Sequence, residues 1–305
     1  MIKKPHQYSA SRRAFLRGPR RGSPWEQFIR RLQRCISGEF TVLNSFPQAS
    51  VGRLIVQSNQ DVYHLLDLAK LYDVKLALDG YAPEALADGT RLVIMVPGSQ
   101  LSRLKPLDTQ KHRWFIGAGV CMHELVAAGL EKFEDLPPTL TVGQWIASPR
   151  WMAYPTGQTQ QSGVIQARVC LSDATPLTLG PFAADDKQAL QGWRSQALVS
   201  QLFRLTYASE LASYLLQSPW LLRYRLDALK AKEVNLAQIL LGHQGSLGWL
   251  EWLLLDYRQL QFVNDRDCAL ATPSFTASAQ EAAVVNIDNS IKQAFDPDDI
   301  FTTCG

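Results

Sequence analysis

The stretch that decides the fold class runs Gly52-Arg53-Leu54-Ile55-Val56-Gln57-Ser58, through Asp61 to Tyr72, to Val74-Lys75-Leu76-Ala77-Leu78-Asp79-Gly80. Arg53 to Gln57 reads as a strand, with Ser58 placed to cap a helix. Asp61 to Tyr72 carries Val62, Leu65, Leu66 and Ala69 at helical spacing, with Leu68 and Leu71 beside them. Val74 to Leu78 then reads as a second strand, stopped by Asp79-Gly80. This is a βαβ unit whose helix is long enough to cross over to a parallel strand.

Working outward, strands follow at Arg91 to Val96 and Arg113 to Ile116. The second leads into Gly117-Ala118-Gly119 and a helix over Met122 to Phe133. Beyond Pro137-Pro138 the texture changes. Thr139 to Ile146 is apolar and interrupted by Gly143, and Gly163 to Leu171 with Thr175 to Leu179 alternates as a hairpin around Ser172-Asp173-Ala174. Residues 188–229 read as mainly helical, with Pro219 as a break. The expected class is α+β in two lobes. The organisation is a basic arm and short helix over 1–50, a first lobe over 51–138, a second over 139–260 with a helical insertion at about 188–229, and a C-terminal tail over 261–305.

The chain has 305 residues, 46% apolar and 19% charged, enough to bury one large core or two modest ones. That composition excludes collagen-like, mucin-like and wholly disordered chains. Five cysteines without CxxC spacing favour a reducing compartment. No run approaches 18 apolar residues, so no membrane span is expected. The net charge of +3 is uneven, since residues 1–34 carry +9 and the remainder −6. A mildly acidic body is a poor partner for nucleic acid, and specific binding of that kind is not expected.

The arm holds Ser11-Arg12-Arg13-Ala14-Phe15-Leu16-Arg17, similar to a twin-arginine export motif. The apolar segment that should follow is absent, so the reading is cytoplasmic rather than exported. Trp25 to Leu32 is basic and amphipathic, with apolar residues at 25, 28, 29 and 32. It suits peripheral contact with an anionic inner-membrane surface, docking on a partner, or packing as a short helix on the body.

Chemistry is sought at three glycine sites: Ala77-Leu78-Asp79-Gly80-Tyr81, Leu140-Thr141-Val142-Gly143-Gln144-Trp145-Ile146-Ala147, and Leu241-Gly242-His243-Gln244-Gly245-Ser246-Leu247-Gly248-Trp249. A nicotinamide reading of Gly117-Ala118-Gly119 fails, because Met122 stands where GxGxxG needs glycine. A hydrolase reading of Ser246 fails, because Gln244 stands where GxSxG needs glycine. No cluster has metal-ligand spacing. His243 and His123 read as structural histidines, Trp249, Trp252 and Tyr257 as core or interface. Asp296, Asp298 and Asp299 read as a capped turn around Pro297.

Taken in order, these segments resemble the FAD-binding domain of the vanillyl-alcohol oxidase (PCMH-type) family of flavin-linked oxidases, above all the FAD-binding subunit of bacterial glycolate oxidase. Leu54 to Gly80 matches the family's opening, and Ala118-Gly119-Val120 followed by His123-Glu124-Leu125 matches its AGV-and-helix segment. Thr141-Val142-Gly143-Gln144-Trp145-Ile146-Ala147 matches TVGG-x-IA, with Gln144 replacing the second glycine. Gly242 to Gly248 matches GSEGTLG, and Ala294 to Phe301 matches the FDP-x-x-IF ending.

The resemblance implies FAD as cofactor, contacted by Asp79, Gly80, Tyr81, Gly119, Val142, Gly143, Gln144, Ile146, Ala147, Gly242, Gly245, Ser246, Leu247 and Gly248. It implies hydride transfer to flavin from a 2-hydroxy acid, with no catalytic base assignable. The family's run of three glycines at the pyrophosphate turn is reduced to Gly80, which removes positions where an amide can face phosphate. Fewer than forty residues separate Leu255 from Phe295, too few for a full substrate cap domain. Redox partner subunits are therefore expected. The alternative is a non-catalytic FAD-domain relative acting as a binding or assembly partner.

Overall fold

The computed structural model describes residues 22–43, 48–182, 192–207, 220–262 and 279–303, with isolated residues between 211 and 217. Strand β2 (Ser50–Val56) pairs in parallel with β4 (Arg91–Pro97), and β4 in parallel with β3 (Lys75–Leu78). Helix α2 (Asn59–Tyr72) crosses over between β2 and β3. Its first turn is closed by a capping box of Ser58 and Asp61, and its end by Asp73 in the left-handed region. The two outer strands of the unit are not neighbours, because β4, an apolar run, inserts between them. β1 (Glu39–Leu43) adds antiparallel to β2, giving the order β1-β2-β4-β3.

The second sheet is antiparallel throughout, in the order β5 (Leu104–Pro106), β6 (Arg113–Gly117), β9 (Trp249–Asp256), β7 (Val164–Cys170), β8 (Pro176–Leu179). The late strand β9 takes the centre because six of its eight residues are buried. Short helices α3 (Met122–Ala127) and α4 (Val142–Ala147) belong to this lobe, as do the longer α5 (Trp193–Thr206) and α6 (Ala279–Phe295), which pack on each other. The larger core lies here, around Phe133, Trp145, Tyr154, Tyr224, Leu253 and Phe295. The smaller core holds Leu54, Leu65, Leu76 and Val93 of the first lobe. The architecture is α+β in two lobes.

Several boundaries differ from the sequence expectation. The change of sheet falls between Pro97 and Leu104, whereas Pro137-Pro138 is a loop inside the second lobe. Residues 39–43 are a strand of the first sheet rather than part of an arm. The helix expected over Met122 to Phe133 stops at Ala127, since Gly129 turns at φ +94 and only a 3-10 turn, Glu131–Phe133, follows. The apolar stretch Thr139 to Ile146 contributes a helix, Val142–Ala147, capped by Thr141. The insertion is helical over α5 and at Leu211 and Tyr214, whereas Leu226–Leu229 is a single 3-10 turn. Pro219 and the twin-arginine-like segment lie outside the described residues.

Helix α1 (Pro24–Cys35) forms behind a Ser23–Glu26 capping box with Pro24 at its first turn. Its apolar face is already spent: Phe28 and Leu32 are fully buried in the first-lobe core, and Phe28 packs edge-on against Phe40 and Tyr72. Arg30, Arg31 and Arg34 face outward. The apolar face is thus taken up by packing on the body, one of the uses expected of the amphipathic stretch.

The residues after α6 also belong to the first lobe. Asp296 is buried, pairs with Lys292, and accepts hydrogen bonds from the Ile300 and Phe301 amides at 2.9 and 2.8 Å. This hook lays residues 300–302 along β3, where the Leu76 amide donates to the Ile300 carbonyl (2.9 Å) and the Thr302 amide to the Leu76 carbonyl (2.7 Å). No helix among the described residues is long and apolar enough to cross a membrane.

Candidate functional site in the cleft between the lobes

Three turns meet where the lobes face each other. The first follows β3, where Gly80 turns at φ +87 and the Tyr81 amide donates to the Leu78 carbonyl at 2.9 Å. The second is the start of α4, held to the AGV segment by the Val142 amide on Val120 O (2.8 Å) and the Gly143 amide on Ala118 O (2.9 Å). The third is the loop 242–248, tied to the far end of α4 by the Gly242 amide on Ile146 O and the Gln244 amide on Ala147 O, both 2.8 Å. Gly242, Gly245 and Gly248 all have positive φ, and so does Gln244. At Gly245 a side chain is excluded outright, because a Cβ would stand 2.6 Å from the Leu78 Cβ of the opposite lobe.

Between these turns lies a small cavity of about 10 Å³, partly open to solvent, with room for about one water molecule. The first lobe supplies Leu78, Met95 and Pro97, and the second supplies the bare backbone of Gly143, Gly245 and Gly248. The rings of His243 and Trp249 complete the lining, each 2% exposed. His243 Nδ1 and Trp249 Nε1 are buried and have no hydrogen-bond partner. Burial drives the His243 pKa down to about 4, so the ring is neutral at pH 7.

One end of the cleft is closed by side chains. Gln144 Nε2 donates to the carbonyl and Oδ2 of Asp79 at 3.3 and 3.2 Å, and its Oε1 accepts from the Thr141 amide at 3.1 Å. The Tyr81 hydroxyl donates to the Gln144 carbonyl at 3.2 Å. The Arg53 guanidinium stands 3.8 Å from Asp79.

The residues singled out from sequence therefore divide. Asp79, Tyr81, Gly143, Gln144, Gly245 and Gly248 come together at the cleft, with Gly80 shaping the turn. Val142, Ile146, Ala147 and Leu247 are buried in the second lobe and act through backbone or packing. Gly119 abuts the Gly98 carbonyl, where a Cβ would approach to 2.4 Å, and Gly242 faces Pro149. Ser246 is fully buried: its hydroxyl donates to the His243 carbonyl (2.6 Å) and pairs with the Tyr224 hydroxyl (2.9 Å), bracing the loop from the insertion side. His243 and Trp249 are the residues sequence reasoning set aside. Their positions within and beside the glycine loop were the available signal; their missing partners appear only in three dimensions. Among the described residues no group of three His, Cys, Asp or Glu is placed to hold a metal ion.

FAD, the cofactor implied by the motifs, meets two different halves of this cleft. Around His243 and Trp249 the walls are apolar side chains and glycine backbone with two polar atoms that have no partner, but the space between them has room for about one water and not for a ring system. Around residue 144 the side chains do not fit a pyrophosphate. Its place is crossed by the Gln144–Asp79 pair, the Asp79 carboxylate is of the wrong sign, and the α4 amides of Gly143 and Gln144 are already bonded. The cavity, about 10 Å³, is also far below the ~300–1,000 Å³ usual for drug-sized ligands. A dinucleotide enters only if Gln144 parts from Asp79.

No family model matches the sequence, and no curated protein matches it significantly. Solved structures do share similarity of fold. Berberine bridge enzyme from Eschscholzia californica is similar over 78% of this chain and 44% of its own, at 12% identity and TM-score 0.43. 6-Hydroxy-D-nicotine oxidase from Arthrobacter nicotinovorans is similar over 72% of this chain and 42% of its own (13% identity, TM-score 0.41). Alkyldihydroxyacetonephosphate synthase is similar over 68% and 32% (14% identity, TM-score 0.38). The chain spans less than half the length of each.

Proposed function

We propose that the chain is an FAD-binding oxidoreductase subunit of the glycolate oxidase type, taking the cofactor between its two lobes. The observation that carries this reading is the meeting of three motif segments, distant in sequence, around one cavity lined by the unpaired rings of His243 and Trp249. Bound flavin supplies the hydride acceptor in such chemistry. The chain's own part is to place and seclude it. Leu78, Met95 and Pro97 exclude water from one side, and Gly143, Gly245 and Gly248 let backbone approach from the other. A 2-hydroxy acid substrate and redox partner subunits belong to the proposal through the motif resemblance. So does a cytoplasmic place in which the outward Arg30, Arg31 and Arg34 meet an anionic membrane surface.

The test is the visible spectrum of the purified chain before and after incubation with FAD and gel filtration. Flavin bands near one equivalent support the reading, and folded protein that retains none overturns it. A second reading, a non-catalytic relative that serves as a binding or assembly partner, is favoured by the closure of the cleft through Gln144, Asp79 and the Leu78–Gly245 contact. Gln144→Gly separates the two: uptake of FAD by this variant and not by the natural chain assigns the closure to residue 144.

A further inference from the structure

Helix α5 turns two different faces to its surroundings. On one, Leu198, Val199 and Leu202 enter the second-lobe core, and buried Arg194 pairs with Asp173 and donates to the Ala294 carbonyl near the end of α6. The other face recurs at three- and four-residue spacing as Trp193, Gln196, Ser200, Gln201, Arg204 and the capping Tyr207, all exposed. Among the described residues, Trp193 and Tyr207 are the large apolar side chains most open to solvent, at 76% and 79%. They stand at the two ends of the stripe, about 21 Å apart along the helix. Between them only Arg204 is charged, and α5 contains no acidic residue. A solvated helix face is rich in lysine and glutamate, whereas aromatic rings with uncharged polar residues between them have the make-up of an interface core.

We propose that this face is a two-fold interface at which the chain pairs with a second copy of itself, the two α5 helices antiparallel and crossing at Ser200. The stripe is complementary to itself in that register alone. Trp193 and Tyr207 are equidistant from Ser200, and so are Gln196 and Arg204. With Ser200 on the axis, each Trp193 therefore meets the Tyr207 of the other copy, and each Arg204 meets a Gln196 side-chain carbonyl instead of a like charge. Ser200 has the smallest side chain of the stripe and lets the helices approach where they cross. A shallow crossing of about 20° keeps both aromatic ends within reach. The two Arg204 lie about 12 Å apart along the helix axes, beyond the ~8 Å screening length at physiological salt. Lys230 covers one face of the Tyr207 ring, its Nζ 4.6 Å from the centroid, which leaves the opposite face for a ring of the second copy. Four aromatic side chains of about 150–250 Å² each, with the polar residues between them, reach only the lower end of the range for specific interfaces. The pairing is accordingly weak, with a dissociation constant on the order of 10 μM.

The experiment is sedimentation velocity of the full natural chain in a concentration series reaching about 300 μM, well above that constant. Trp193→Ala, Tyr207→Ala, Gln196→Glu and Gln196→Arg are run beside it. The natural chain should pass from monomer to dimer as concentration rises. Trp193→Ala and Tyr207→Ala should each weaken the dimer at least about tenfold, because the symmetry removes a ring contact at both ends. Gln196→Glu should tighten it about fivefold by setting a carboxylate opposite each Arg204, and Gln196→Arg should abolish it. A natural chain that stays monomeric throughout overturns the proposal, whether or not a different protein binds this face. So does a dimer that none of the four substitutions alters. The two changes at Gln196 have opposite expected signs, so they decide the register even if an aromatic variant folds poorly.

Discussion

The Tyr63 hydroxyl donates to Glu251 at 2.5 Å, joining helix α2 of the first lobe to the central strand β9 of the second. Arg168 on β7 pairs with the other carboxylate oxygen at 3.0 Å. Burial and the adjacent carboxylate push the tyrosine pKa well up, so the phenol remains a donor at all ordinary pH. Tyr63→Phe keeps the ring and removes this link. A hydrogen bond to a charged acceptor is worth about 1.5–3 kcal/mol, and a loss of that size in urea unfolding is expected. A loss below a few tenths would mean the lobes are not coupled through this pair.

Acid titration should show two opposed slopes. His243 titrates at 6.5 when unfolded and near 4 when folded, so the unfolded chain binds more protons between these values. Stability therefore falls as pH drops through that window, by roughly 3 kcal/mol. Asp288 behaves oppositely. Burial, only partly offset by the Arg223 and Tyr224 amides, raises it from 3.8 to about 6, so its contribution is lost as pH rises through 6. Melting temperatures across pH 4–7 should be nearly level for the natural chain, rise with pH in Asp288→Asn, and fall with pH in His243→Gln.

Asp296→Asn should be among the most damaging substitutions. It leaves Lys292, only 10% exposed, with the more exposed Asp299 carboxylate at 3.4 Å as its remaining counter-charge and weakens the hook on Ile300 and Phe301. Breaking a buried pair from one side costs about 3–5 kcal/mol where the remaining charge is uncompensated, and the Asp299 carboxylate should hold the loss to about 3 kcal/mol or less. Hydrogen exchange at the Leu76 amide should accelerate in the same variant, because its acceptor is the Ile300 carbonyl.

Two glycines should respond differently to alanine. Gly80 (φ +87) has open space around its missing side chain, so Gly80→Ala costs the left-handed penalty alone, about 1–2 kcal/mol. Gly248 (φ +142) would place a Cβ 2.6 Å from the Cys170 carbonyl at the β7–β9 pairing. Gly248→Ala should lose more than Gly80→Ala by thermal unfolding.

The β2–α2–β3 unit is legible in sequence because its periodicities are local, and the substitution at Gln144 stands out against the glycine it replaces. That β4 would settle between β2 and β3 is not legible, since it depends on which strand buries best among partners far along the chain. The packing of α1 on the body is one of three uses its pattern allows, and the choice among them is not legible for a related reason: an amphipathic pattern records that a face must be covered, not what covers it. The acceptor of Gln144, Asp79, lies 65 residues away, and the solitude of His243 and Trp249 is a property of the space around them.

Residues 300–302 cover the outer edge of β3, some 225 positions earlier in the chain. During synthesis, the first sheet must wait through the making of the entire second lobe with that edge unpaired. An open edge is a template for any other strand. The interval between translating Leu76 and translating Phe301 is thus when this protein is most exposed to pairing with a neighbouring copy, and a chaperone that shields β3 would act in that interval.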